Sequence, residues 1–225
     1  MKFFYNQKGT NQIGYYVEMV DDTERQNHLR MVEEYNEKLE SDVKKKTRSL
    51  VKMQDDIILS MADTVEDRDS NTGGHIRRTS ECVKIFVKGL NKDPIYSKQG
   101  ESFYECVIKA APLHDFGKIA IADTILRKPG KFTSEEYEIM KNHEKWDGTG
   151  YPLGISGENI PLEARIMALA DVFDALVSKR CYKEEYSFDK AFSIIEEYLG
   201  KHFDTELGKI FIQQRSELEA YYQGA

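Results

Sequence analysis

From Leu29 onward, apolar residues recur at alternating spacings of three and four: Leu29, Val32, Leu39, Val43, Leu50, Met53 and Ile57, with Asn36 and Lys46 at the two remaining points of the grid. Seven apolar positions out of nine predict a two-stranded coiled coil rather than a helix buried in a globular core. Asn36 at an a-type position fixes register and favours a parallel homodimer through residues 29–57, at some cost in stability. The alternative is one amphipathic helix lying on the domain that follows. No Gly or Pro falls between positions 24 and 69, so in either case a stiff rod is expected there. Ahead of it, a short β-like alternation runs from Tyr15 to Met19, and such a strand cannot be stable by itself. Residues 1–23 therefore read as a fragment.

After residue 60 the pattern changes to helices divided by turn signals. The expected helices are 74–90, 102–114, 133–144, 161–179, 187–199 and 204–222, with loops at Asn91–Gly100, Pro129-Gly130 and Gly148–Pro161. Neither a run of alternating strands nor a repeat period is present, so the class is all-α.

Composition narrows the function classes. A chain of 225 residues, 40% hydrophobic, suffices for one domain with a substantial core plus an appendage. A net charge of −7 and a pI near 5.4 argue against DNA or RNA as a partner, so a phosphate-bearing ligand must be met by local cations or metal. Cys82, Cys106 and Cys181 form no CxxC pair and suit a reducing compartment. No apolar run approaches a membrane span, and MKFFYNQKGT lacks the apolar core of a signal peptide. The expectation is a soluble, cytoplasmic protein.

The candidate chemistry begins at His114-Asp115 in APLHDFGKIAIADTIL. An imidazole and a carboxylate side by side suit a borderline divalent ion such as Mn or Fe(II), although a lone pair at the end of an apolar run is ordinarily a helix terminus. Asp171 and Asp174 lie among Ala and Val in ALADVFDALVS, where a buried carboxylate is costly unless it is paired or holds a metal. Asp171 is the more persuasive ligand, and Asp174, one turn later, more naturally orients a neighbour. His75 follows Gly73-Gly74 and by itself would pass for a polar helix start.

Four blocks in order carry a family resemblance: VEDRDSNTGGHIRRT (65–79), LHDFGKIAIADTILRKPGKFTSEEYEIMKNH (113–143), HEKWDGTGYPLGISGENIPLEARIMALADVFDALVSKRCYK (143–183) and GKHFD (200–204). They resemble the HD-GYP domain, the subgroup of bacterial HD phosphohydrolases that cleaves cyclic di-GMP. The resemblance implies an HD-type helical bundle over residues 70–225, preceded by the coiled-coil signalling helix 24–69. Residues 1–23 resemble the end of a PAS-like sensor domain, with a leader lacking structure of its own as the alternative.

The resemblance also implies site residues. His75, His114, Asp115 and Asp171 would form a first metal site, with Asp115 bridging to a second ion that His143 would help hold. His114, Asp115 and Lys118 would be catalytic, and Lys118, Tyr151, Arg180 and Lys183 would contact substrate. The cofactor would be Fe(II) or Mn(II), mononuclear or weakly dinuclear. The reaction would be hydrolysis of cyclic di-GMP to linear pGpG, GMP or both. The competing readings are a degenerate module that binds cyclic di-GMP or a partner protein without efficient turnover, and an HD phosphohydrolase acting on another nucleotide. Tyr151 and the Arg180-to-Lys183 segment speak against the last.

This chain departs from the family pattern at EIMKNHEKWDGTGYP. Two histidine motifs normally separated by a couple of dozen residues are fused into Met140-Lys141-Asn142-His143-Glu144, with Asn142 where a second-site histidine is expected. A weak or empty second metal site follows. Asn71, four residues before His75, replaces a glutamate that supports a third metal in some members, so no trinuclear centre is expected.

Overall fold

The computed structural model describes residues 2–6, 14–18, 21–69, 74–128, 130, 133, 135–136, 144–151, 153–179 and 185–224. The chain divides into two units, Met1–Met53 and Gln54–Ala225, with the boundary inside a long helix. In the first unit, β1 (Lys2–Asn6) and β2 (Gly14–Glu18) form an antiparallel hairpin with Lys2 opposite Glu18 and Asn6 opposite Gly14. The strand expected around Tyr15 thus has its partner only a few residues upstream.

Helix α1 runs over Thr23–Glu66 without interruption. Asp21 starts it, its carboxylate accepting the Thr23 N–H at 3.0 Å and the Thr23 hydroxyl at 2.6 Å. The seam residues are exposed in the single chain, from 48% at Leu29 to 65% at Leu50.

The second unit is all-α among the described residues. Helix α2 (His75–Leu90) packs against α5 (Leu162–Val177), and α6 (Phe188–Glu197), α7 (Thr205–Gln213) and α8 (Arg215–Gly224) close around this pair. Val83, Phe86 and Leu90 on α2 meet Ile166, Leu169, Ala170 and Phe173 on α5 in one buried core. Phe211 of α7 stands edge-on to Phe86 at 5.1 Å and to Phe173 at 5.4 Å, joining the layers. Helix α3 (Glu101–Ala110) carries Tyr104 and Val107 into the same core, and a short α4 spans Asp123–Leu126.

Two boundaries differ from the sequence pattern for physical reasons. Helix α3 stops at Ala110, and Ala111–Leu113 tighten into a 3-10 turn, because Pro112 has no N–H to continue the ladder. The single helix expected over 204–222 breaks at Gln214, whose N–H turns back to Phe211 and Ile212 carbonyls. No Gly or Pro marks that break. The Gln214 side chain instead seats on Gly89 of α2, where an added Cβ would lie 2.6 Å from its amide nitrogen, so tertiary contact decides the bend. The helix expected over 133–144 falls mostly outside the described residues, of which Glu135 and Glu136 are helical.

Candidate metal centre

Three separate segments deliver the candidate donors. His75 is the first residue of α2, His114-Asp115 follow the 3-10 turn after α3, and Asp171 lies mid-way along α5. Ligand atoms of His75, His114 and Asp115 lie within 4.8 Å of one another. Asp171 Oδ1 stands 3.4 Å from His75 Nε2 and 3.9 Å from His114 Nε2. His114 Nε2 is 3.5 Å from Asp115 Oδ2. Donors bonded to one ion at about 2.0–2.2 Å sit roughly 3–3.5 Å apart, so this spacing is close to that of a coordination shell.

The two imidazoles supply a sharper test. His114 Nδ1 lies 2.9 Å from the Ala111 carbonyl oxygen, which can only accept, so that nitrogen carries the proton. His75 Nδ1 lies 2.7 Å from the Asp174 carboxylate and donates in the same way. In the neutral rings both Nε2 atoms then present bare lone pairs, 3.4 Å apart. Two lone pairs facing each other repel unless a proton or a metal cation lies between them, and with Asp115 and Asp171 completing the cluster the donor set fits a divalent metal.

Electrostatics point the same way. Burial presses the His75 ring toward neutrality, but the Asp174 hydrogen bond and the charges of Asp171, Asp174 and Glu66 outweigh it and hold its pKa above the usual value. The carboxylates that favour a proton there favour a metal cation equally. His114 is pushed down by burial, more than Asp115 and Asp171 raise it. Burial would raise Asp174, yet hydrogen bonds from His75 and Arg78 hold its carboxyl below the usual carboxylate range.

Asp174 is 1% exposed and is the hub of the supporting shell. Besides His75 it accepts Arg78 Nε at 2.7 Å, Arg78 Nη2 at 3.3 Å and the Ser178 hydroxyl at 3.1 Å. Arg78 and Ser178 carry no signal that sequence reasoning used, although Arg78 sits one turn after His75 and so shares its face. Lys118 approaches the cluster with its ammonium 2.8 Å from Asp115 Oδ2.

Tyr151 is 36% exposed, and among the described residues no hydrogen bond, ion pair or ring contact ties it to the cluster. Its loop is nevertheless built tightly. A Cβ on Gly150 would fall 2.3 Å from the Lys145 backbone nitrogen, so only glycine lets the chain double back here. Trp146 and Asp147 donate their N–H groups to the His202 and Lys201 carbonyls at 3.1 and 2.9 Å, docking this loop on the GKHFD segment. Asp204 of that segment caps α7 through the Glu206 and Leu207 N–H groups and holds Arg165 Nη1 at 2.7 Å. The GKHFD block therefore has a structural use. His143, Arg180, Lys183, Asn71 and Asn142 lie outside the described residues.

One HD-domain family model matches residues 72–146 and a second matches 137–207, and between them they hold every metal-site candidate. The chain belongs to the HD-GYP family of HD-domain proteins. HD domains are metal-dependent phosphohydrolases, in keeping with the donor cluster. Among the relatives of this HD-GYP chain, a "Cyclic di-GMP phosphodiesterase" of Vibrio cholerae is 42% identical over 200 residues, covering 74% of this chain and 41% of the relative. A "Probable cyclic di-GMP phosphodiesterase" of the same organism is 39% identical over 203 residues, covering 75% and 46%. The "Cyclic di-GMP phosphodiesterase response regulator RpfG" of Xanthomonas campestris is 36% identical over 188 residues, covering 71% and 47%. The chain thus spans less than half the length of these curated relatives. The first alignment has 200 positions but occupies 74% of 225 residues, so roughly 33 of its positions have no counterpart here. Among the described residues no helix is long and apolar enough to cross a membrane.

Proposed function

We propose that this HD-GYP chain is a metal-dependent phosphodiesterase that hydrolyses cyclic di-GMP to linear pGpG, GMP or both. The observation that carries the reading is the convergence of His75 Nε2 and His114 Nε2 with the Asp115 and Asp171 carboxylates. The names of the relatives support cyclic di-GMP as the substrate. Fe(II) or Mn(II) suits the mixed imidazole and carboxylate set, with one tightly held ion per chain. A divalent ion there would polarise a phosphoryl oxygen and make water a competent nucleophile near neutral pH.

The residues of the chain supply the rest. Asp174 and the Ala111 carbonyl fix the two rings so that both Nε2 atoms face inward. Lys118, held beside Asp115, places a cation where a phosphoryl oxygen gains charge as the ester opens. Tyr151, Arg180 and Lys183 are assigned to the substrate and His143 to a weak second ion, as the family resemblance implies. Exposure of the seam from Leu29 to Ile57 favours a parallel homodimer through residues 29–57. An exposed free thiol at Cys106 is at home in a reducing cytoplasm.

The test is Asp115→Ala, assayed for bound metal by elemental analysis and for cyclic di-GMP turnover by nucleotide chromatography. Both should vanish together. Hydrolysis surviving in that variant sinks the assignment, and two tightly bound ions per wild-type chain would overturn the single-ion reading.

A further inference from the structure

The end of α1 and the 3-10 turn that follows it, Asp67–Asp69, contact both polypeptide arms that carry the donor cluster. Glu66, the final residue of that helix, lays its carboxylate across the start of α2, accepting the His75 N–H at 3.2 Å and the Ile76 N–H at 3.4 Å. The residue in the capping position, Gly74, adopts φ +96° and has no side chain to offer. Glu66 therefore does from a distance what a capping side chain does locally, and its charge meets the positive end of the α2 dipole. The residue it holds most directly is a metal-ligand candidate.

Two positions later, Arg68 reaches the other half. Its Nη1 donates to the Ile119 carbonyl at 3.0 Å, and its Nη2 donates to the Ile121 carbonyl at 3.1 Å and to Asp123 Oδ1 at 2.7 Å. These acceptors lie on the stretch that leaves His114, Asp115 and Lys118. Arg127 Nε closes the loop by donating to the Arg68 carbonyl at 2.7 Å. Ala62 and Val65, 3% and 5% exposed, anchor the turn that carries the clamp. Neither Glu66 nor Arg68 offers a donor to the cluster, yet each holds one of its two polypeptide arms.

We propose that Glu66 and Arg68 are positioning residues that set the separation between His75 and the His114-Asp115-Lys118 segment, so that the end of α1 governs whether the donors close to ion-binding spacing. The inference rests on the metal-dependent reading above. It makes this helix end the point at which a shift or rotation of α1 would be felt as a change in metal affinity. The planar fork of Arg68, spanning three acceptors, is the part that lysine cannot reproduce.

The test is calorimetric titration of the full chain with Mn(II), with helix content checked by circular dichroism. Glu66→Ala and Arg68→Lys should each weaken Mn(II) binding about 10–100-fold, the range for outer residues that orient metal ligands. Glu66→Gln keeps the volume and an oxygen acceptor for the His75 N–H and should recover most of the affinity, whereas Glu66→Leu keeps comparable bulk without an acceptor and should not, a difference that a general packing role would not give. If Glu66→Ala fails to fold, the milder Arg68→Lys decides. Wild-type affinity in folded Arg68→Lys overturns this proposal alone. A wild-type chain that binds no Mn(II) overturns the metal reading beneath it.

Discussion

Replacing Asp174 by alanine should be the most damaging single change near the site at a residue that is not itself a candidate ligand. The carboxylate is 1% exposed and accepts from His75, twice from Arg78, and from Ser178. Its removal takes from the Arg78 guanidinium, whose side chain is only 19% exposed, its bonds to a buried carboxylate, and takes from the His75 Nδ1–H its acceptor. Breaking a buried ion pair from one side costs about 3–5 kcal/mol, because the surviving charge remains desolvated. For a domain of this size each kcal/mol shifts the melting temperature by about 2–4 °C, so a drop on the order of 10 °C is expected. The second effect is on the metal. With its ring no longer oriented, His75 should bind Mn(II) poorly, lowering affinity about 10–100-fold. Asp174→Asn keeps the volume and one acceptor for His75 and should fall between the two on both scales. Scanning calorimetry of the metal-free protein and Mn(II) titration at a permissive temperature read the two effects separately. Asp174→Ala protein melting within about 1 kcal/mol of wild type would refute the view that this carboxylate holds the shell together.

Other consequences are more local. Phe211→Ala removes the ring that joins α7 to Phe86 and Phe173 and should cost about 3–5 kcal/mol in urea unfolding, with a smaller loss arguing that the core collapses into the gap. Asp204→Ala deletes both the α7 cap and the partner of Arg165, so its cost should exceed the ~1 kcal/mol of a cap alone and reach about 2–3 kcal/mol. If residues 29–57 dimerise, light scattering should give twice the chain mass and melting should rise with concentration. Asn36→Val should then raise dimer stability while loosening its register. A concentration-independent monomer would remove the coiled coil from the account.

The parts of this protein legible from sequence were those written as local chemistry. Alternating threes and fours mark α1, turn signals delimit α2 and α5, and the cost of burying Asp171 among Ala and Val marks it as a candidate ligand before any geometry. Asp174, one turn after Asp171, reads as an orienting residue, and in the structure its carboxylate lies 2.7 Å from His75 Nδ1. What escaped was set by tertiary contact. The break at Gln214 has no sequence marker, because its cause is a glycine more than a hundred residues earlier on α2. Arg78, Glu66 and Arg68 look like solvated charges in a list of residues, and only the fold shows what each one holds. The hairpin partner of β2 was missed because residues 2–6 show too little alternation to stand out from a leader.

The measurement that bears most directly on the central claim is product formation from cyclic di-GMP by the purified chain, anaerobically, with Fe(II) or Mn(II) and with His114→Ala beside it. The account predicts linear pGpG or GMP in the wild-type reaction, none without metal, and none from the variant. Folded wild-type protein that binds the ion and yields no product over hours would contradict it.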